Sequence, residues 1–139
     1  MPFLCYNKNV VHLQKFYKNK EVTRSMKIID ILKGGSDQNL SEVIRLTEGM
    51  TLRRISMKWN TNHLPDNDKP QEWPVKMIFQ NGNEKIGIRI LSYSAGYGGQ
   101  GPRDFISLLD HYNISYDEDD ICTKRKMDSD GIIRLSYTV

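Results

Sequence analysis

The sequence predicts an α+β domain in which an antiparallel sheet of about four strands carries two to three helices packed on one face. Three observations predict this fold class. Two apolar runs, 75–79 and 85–91, flank an Asn81-Gly82 pair, which is the strongest short-range signal for a β-hairpin. Further along, large apolar residues in 102–112 recur at helical spacing. The run 132–137 then has the composition of a closing strand.

The length and composition favour one domain that spans residues 1–139. A chain of 139 residues has the common size of a single domain. At that length, folding buries roughly two-thirds of the surface that the unfolded chain exposes. Hydrophobic residues make up 38% and charged residues 27%, which is ordinary for a globular protein. We find no internal repeat, low-complexity tract or Pro/Gly-rich linker that would divide the chain.

The first third of the chain predicts two short helices in tandem. Residues 24–33 place their apolar side chains on one helical face, and Gly34-Gly35 supplies a C-terminal stop. Asn39 and Glu42 then form a capping-box-like pair, and Gly49 ends the second helix. Before these helices, the secondary structure of residues 8–20 stays open between strand and helix.

After Gly49 the periodicity changes to that of strands. Residues 51–59 are predicted as a strand, and 60–72 form a loop rich in Asn, Asp and Pro. In the hairpin, alternate residues at 86, 88 and 90 are isoleucines that we expect to face the core, whereas Arg89 points away from it. Pro102 is suited to the first position of the following helix, and Asn113 is suited to end it.

A glycine-rich loop between the hairpin and this helix is the one motif whose composition needs an explanation. Four glycines in six residues are entropically costly, so the backbone there is expected to need positive φ or a close approach. A structural turn is the favoured interpretation, and a partner-binding loop and a phosphate site stay open as alternatives. The residues of this possible anion site are Gly96, Tyr97, Gly98, Gly99, Gly101 and Arg103.

Charge is distributed unevenly along the chain, although the net charge is only +3. Residues 1–27 carry six Lys or Arg against one Glu. Residues 104–120 carry six Asp or Glu and no Lys or Arg, and 124–126 are basic again. Such asymmetry concerns partners and association rates more than it concerns fold.

No pattern in the sequence indicates a cofactor, a metal site or a nucleophile. The histidines are isolated, and neither a GxSxG stretch nor a complete calcium loop is present. Cys5 and Cys122 lack CxxC or zinc spacing, which favours free thiols. We find neither a membrane-spanning run nor a secretory signal. The sequence therefore favours a non-enzymatic, cytoplasmic protein without affinity for membranes, although it leaves enzymatic activity open.

In size, in its content of Ile, Asn and Lys, and in having one charged docking face without a catalytic motif, the chain resembles the small immunity proteins of bacterial contact-dependent inhibition and related polymorphic-toxin systems. This resemblance implies a protein that neutralises a toxin domain by covering its active site. A patch of the chain's acidic residues would then dock a basic toxin domain. The residues of that patch would be Asp117, Glu118, Asp119 and Asp120.

The alternative hypothesis is a nucleic-acid or nucleotide-binding protein, including an RNase. It would use the glycine-rich loop and the basic N-terminal segment, where Phe16 and Tyr17 lie among Lys15, Lys18 and Lys20. Basic–aromatic pairing also occurs around Arg53-Arg54 and Lys58-Trp59 on the predicted strand. A solvated basic face is the simpler explanation of the same residues.

Overall fold

A computed structural model of the chain describes residues 9–18, 22–32, 35–62 and 73–139, with side chains from Met26 onward. These ranges contain six strands and three helices. In chain order they are β1 (Asn9–Lys18), β2 (Val22–Ile31), α1 (Ser36–Leu46), β3 (Thr51–Asn60), β4 (Val75–Asn81), β5 (Glu84–Ile90), α2 (Gln100–His111), α3 (Glu118–Cys122) and β6 (Ile132–Thr138).

The strands form one mixed sheet with the order β1-β2-β5-β4-β3-β6. Neighbours are antiparallel except β2 and β5, which run parallel. The predicted α+β class is therefore confirmed, whereas the prediction of a purely antiparallel sheet of about four strands is wrong. The sheet is larger because the N-terminal region supplies a hairpin, β1 and β2, where the sequence predicted a helix at 24–33 or left the structure open.

The β2 strand shows why the helical prediction for 24–33 failed. Ile29 and Ile31 are buried on the face that packs against the helices, whereas Ile28 and Asp30 are buried on the opposite face. A strand that is covered on both faces has few exposed positions, so its apolar residues also fit a helical stripe over ten residues. The β-branched isoleucines favour the extended form, and pairing with β5 decides it.

The α1 helix begins earlier than its predicted capping box. Gly35 occupies the N-cap position, so Asn39 lies within the helix rather than at its start. The Asn39 side chain is buried and donates a hydrogen bond to Ser92 Oγ, two residues beyond the end of β5. The predicted stop is correct, since Gly49 takes a φ of 81° just beyond the helix.

The remaining elements follow the sequence closely. The β4–β5 hairpin turns at Gly82, where φ is 63°, and Ile86, Ile88 and Ile90 are buried as predicted. The α2 helix starts at Gln100, two residues before the predicted start. Asn113 takes a φ of 57° after that helix, in agreement with its predicted role as a stop.

All three helices contribute to one buried cluster on a single face of the sheet. Val43 of α1, Phe105 of α2 and Ile121 of α3 are fully buried within it. Phe105 also makes ring contacts with Tyr93 and with Tyr137 of β6, at centroid distances of 6.3 Å. The opposite face of β4, β3 and β6 therefore carries no helix of the described chain. None of the described helices is long and apolar enough to span a bilayer.

Candidate functional site

The acidic run Asp117–Asp120 forms the start of α3 and is clamped by one arginine. Asp117 caps the helix by accepting a hydrogen bond from the Asp119 backbone N–H at 3.0 Å. Arg125 Nη2 lies 2.7 Å from Asp117 Oδ2 and 2.6 Å from Asp120 Oδ1. Its Nη1 lies 3.9 Å from Asp119. The bond from Arg125 lowers the pKa of the Asp117 carboxyl from its ordinary value.

The clamp changes what this acidic run offers to a partner. Residues 117–126 contain four acidic and three basic side chains, so the local charge nearly cancels. The structure brings Asp117, Asp119 and Asp120 together around Arg125, and Glu118 is exposed beside them without a described salt bridge. The predicted docking residues are thus adjacent, but much of their charge is used to hold their own turn.

Packing explains the first glycine of the glycine-rich loop. Gly96 is buried with a φ of 94°, and its N–H donates to the Ile121 carbonyl at 2.7 Å. A Cβ at this position would lie 2.8 Å from Ile133 Cδ1. Glycine therefore allows the loop to pass closely between α3 and β6.

Two further glycines make room for side chains of the loop itself. The Tyr97 hydroxyl lies 2.7 Å from Ser94 Oγ, so the phenol folds back over the loop. A Cβ on Gly99 would lie 2.6 Å from the Tyr97 ring, and a Cβ on Gly101 would overlap Ser94 Oγ. Of the four glycines in this loop, only Gly98 has no described neighbour within 4 Å of its Cβ position.

The same loop is a poor place for a phosphate. Pro102 has no N–H, and the N–H of the exposed Arg103 already donates to the Gly99 carbonyl at 3.2 Å. Burial raises the pKa of the nearby Tyr93 phenol, and the negative charges of Asp104 and Asp37 raise it further. Carboxylates therefore already act on this region, and the geometry favours the structural-turn interpretation of the loop.

We call the face of the sheet that carries no described helix the open face. A group of cationic side chains lies on it. The alternation of the strands and their register place them together on four adjacent strands. We call five of the cations on this face the cationic set: Arg54 and Lys58 of β3, Lys76 of β4, Arg89 of β5 and Arg134 of β6.

Two pairs within the cationic set are directly opposed across neighbouring strands. Lys58 pairs in register with Arg134, and Lys76 pairs with Arg89. Like charges in directly opposite positions destabilise a sheet. Each arginine has a carboxylate partner, because Arg134 contacts Asp128 and Arg89 contacts a buried aspartate of β2. Among the described residues, no carboxylate forms a salt bridge with either lysine.

An aromatic ring lies at the β5 side of the open face. The Arg89 guanidinium carbon is 4.5 Å from the centroid of the Trp73 ring, a cation–π geometry. Arg89 Nε and Nη2 donate to the two carboxylate oxygens of Asp30 at 2.6 and 2.7 Å. Asp30 is only 3% exposed, so the guanidinium is held between a buried carboxylate and a half-buried indole.

The sequence indicates part of this surface but not which of its side chains share a face. The predicted basic–aromatic pair of Lys58 and Trp59 is divided, because Trp59 packs against the core on the opposite face from Lys58. Arg53 and Arg54 are both exposed at a β-bulge that follows Leu52. Alternation along each strand could have indicated the faces, but the lateral neighbours depend on a strand order that the sequence does not display.

Several sequence predictions concern residues whose side chains lie outside the described part of the chain. Lys15, Lys18 and His12 belong to β1, of which only the backbone is described. Lys8, Lys20, Cys5 and His63 lie outside the described residues altogether. Cys122 forms no disulfide with any described residue, and burial raises the pKa of its thiol. Within residues 9–18, 22–32, 35–62 and 73–139, no cluster of His, Cys, Asp or Glu could hold a metal ion.

Comparison with known proteins gives no relative. No protein-family model matches the chain, and neither a curated protein nor a solved structure is detectably similar to it.

Proposed function

We propose that the protein is a non-enzymatic binding module that holds a nucleic acid on the open face of its sheet. One observation carries this proposal: five cations lie on four adjacent strands of a face that no described helix covers, and two pairs of them are directly opposed. The opposition costs folding free energy. Asp128 and Asp30 already pair with the two arginines, so the lysine of each pair is the member that the phosphates of a bound polyanion would neutralise.

The polar character of the open face favours a nucleic acid over an acidic protein. Ser56 and Ser136 lie in register between the cations, and both lysines of the cationic set are exposed. Protein–protein interface cores are depleted in lysine and serine and enriched in aromatic residues. Interfaces with nucleic acids are more polar and much more positively charged.

The dimensions of the cationic set suit an extended backbone. From β5 to β6 it crosses three strand spacings, which is about 14 Å at the usual separation of strands. Arg54 and Lys58 lie about 13 Å apart along β3, at roughly 3.3 Å per residue. A set of this size can contact several phosphates at once.

The first test measures nucleic-acid affinity as a function of salt concentration. For a single strand, four phosphate contacts give a slope of log K against log salt of about −3. We expect the double variant Lys58→Ala/Lys76→Ala to bind more weakly and to flatten the slope by about 1.4. The matched control is Lys124→Ala/Lys126→Ala, which removes the same charge from the exposed turn after α3 and should keep the wild-type slope. Equal slopes for the two variants would contradict the proposal.

Our second proposal is an immunity-type role, in which the acidic turn docks a basic toxin domain. The observation that favours it is that the side chains of Asp117 and Asp119 stay 54% and 68% exposed on an ordered turn. Its test is Glu118→Lys/Asp119→Lys, which reverses charge without removing the Asp117 cap. A toxin domain that still binds this variant would exclude the acidic turn as its docking site. Loss of binding that Lys58→Ala/Lys76→Ala does not reproduce would support it.

A further inference from the structure

The position of Trp73 suggests which kind of nucleic acid the open face takes, an inference that rests on the function proposed above. Trp73 directly precedes Pro74 and β4, and its ring covers the Arg89 guanidinium. Arg89 in turn pairs in register with Lys76. The indole is therefore continuous with the cationic set and lies where a bound phosphate backbone would pass.

One contact places the indole, because its ring lies over the Arg89 guanidinium with 4.5 Å between the guanidinium carbon and the ring centroid. Arg89 holds Asp30 through two parallel hydrogen bonds, which orients the plane of the guanidinium. The backbone of Trp73 takes a φ of 42°, in the left-handed region that bulky residues rarely adopt. The ring is half-buried, and a side chain that is already partly held loses less conformational entropy than a fully exposed one when a second planar group stacks on it.

We propose that Trp73 is a base-stacking platform and that the ligand of the open face is accordingly a single-stranded nucleic acid. Single-strand binding surfaces combine cations that follow the backbone with aromatic rings on which bases stack. The stacking is tolerant of sequence, because every base presents a π face. In a duplex the bases are already stacked on one another, so only its phosphates would be available to the cationic set.

The test compares two single strands that differ only in their bases. The probes are oligothymidylate of about twelve nucleotides, within the site sizes typical of single-strand binding domains, and an abasic strand of the same length. We expect wild-type protein to prefer oligothymidylate, and we expect Trp73→Leu to lose about 5- to 150-fold in affinity for it, the equivalent of one stacked base. Affinity for the abasic strand should be the same for both proteins.

Two further variants separate stacking from a structural role of the indole. Trp73→Phe keeps an aromatic ring and should recover most of the preference, and Tyr97→Leu, which removes an exposed aromatic ring from the glycine-rich loop, should leave the preference unchanged. If wild-type protein binds the two strands equally, Trp73 is not a stacking platform. The nucleic-acid function would still stand in that case, provided that binding depends on Lys58 and Lys76. Absence of binding to both strands would overturn the inference and the proposed function together.

Discussion

The two faces of the central strands differ in what their side chains contribute. On the face that packs against the helices, β5, β4 and β3 carry apolar residues, and Met77, at the centre, is fully buried. On the open face, the neighbouring Lys76 is exposed and lies between Ser56 and Arg89 in register. The helix-bearing face follows the physics of a hydrophobic core, whereas the open face places like charges side by side.

The difference indicates that stability and function are divided between the faces. Burial of apolar surface is the main favourable contribution to folding, and it is concentrated on one side of the sheet. On the open face, carboxylates pair with Arg134 and Arg89, but the lysine opposed to each arginine has no described carboxylate partner, so these lysines do not add to stability as the core residues do. Departures from local consistency of this kind are expected at functional sites. Three predictions address this division.

The largest expected effect concerns two adjacent residues of β4 that point to opposite faces. Met77→Ala should lower the free energy of unfolding by about 2–5 kcal/mol, because it leaves a cavity in a fully buried position. Lys76→Ala should change it by less than about 0.5 kcal/mol. Urea unfolding of both variants measures the difference. Similar losses for the two would show that the open face also contributes to the core.

The second prediction concerns Asp128, the carboxylate that pairs with Arg134 beside the open face. Hydrogen bonds from the Ile132 and Asp130 backbone N–H groups, together with the ion pair to Arg134, lower the pKa of Asp128 below its ordinary value of 3.8. A carboxyl whose pKa is lower in the folded state stabilises the fold above the unfolded-state pKa. That contribution is lost as the pH falls through the folded-state pKa.

We therefore expect Asp128→Asn to be less stable than wild type at neutral pH, with a difference that begins to shrink below about pH 4 and is lost only as the pH falls through the lower folded-state pKa of Asp128. Asparagine keeps an oxygen that can accept from both N–H groups, so the variant isolates the charge. The measurement is the urea midpoint of both proteins at several pH values. Since Arg134 loses its carboxylate partner in this variant, nucleic-acid binding should also become tighter. That result would show that Asp128 affects the charge of the open face. A pH-independent difference in stability would contradict the assigned role of the charge.

The smallest expected effect has the opposite sign. Lys58→Gln removes one member of a directly opposed cationic pair, so it should stabilise the fold by a few tenths of a kcal/mol while it weakens nucleic-acid binding. Lys85→Gln is the matched control, because Lys85 pairs in register with Gln80 and has no cation opposite it. Stability should rise in the first variant only. A fall in the stability of Lys58→Gln would mean that the pair is not in repulsion.

The elements that the sequence predicted correctly are those whose signals are local. The β4–β5 hairpin depends on Gly82 and on alternation within a few residues, both of which are visible in the chain. The stops at Gly49 and Asn113 likewise follow from residues that adopt positive φ at low cost. The sequence also indicates part of the open face, since Arg54 and Lys58 alternate with apolar residues along β3.

The failures occurred where distant residues decide the conformation. Instead of the predicted helix, the chain forms β2 (Val22–Ile31), because pairing with β1 and with β5, more than fifty residues away, satisfies its backbone hydrogen bonds. Asn39 does not cap α1 as predicted, and its side chain instead donates a hydrogen bond to Ser92. Likewise, no local pattern connects Trp73 to Arg89 or Arg89 to Asp30, since each contact joins different strands or segments.

By itself, the sequence determined the α+β class, the central hairpin and the absence of a recognisable catalytic motif, because periodicity, turn chemistry and motif spacing act over short distances along the chain. Only the tertiary structure decided that β2 and β5 run parallel, that Arg125 holds the acidic turn, and that five cations meet on one open face. Strand order and register bring together residues far apart in the chain, and the free energy that selects them comes from the packing of the whole sheet.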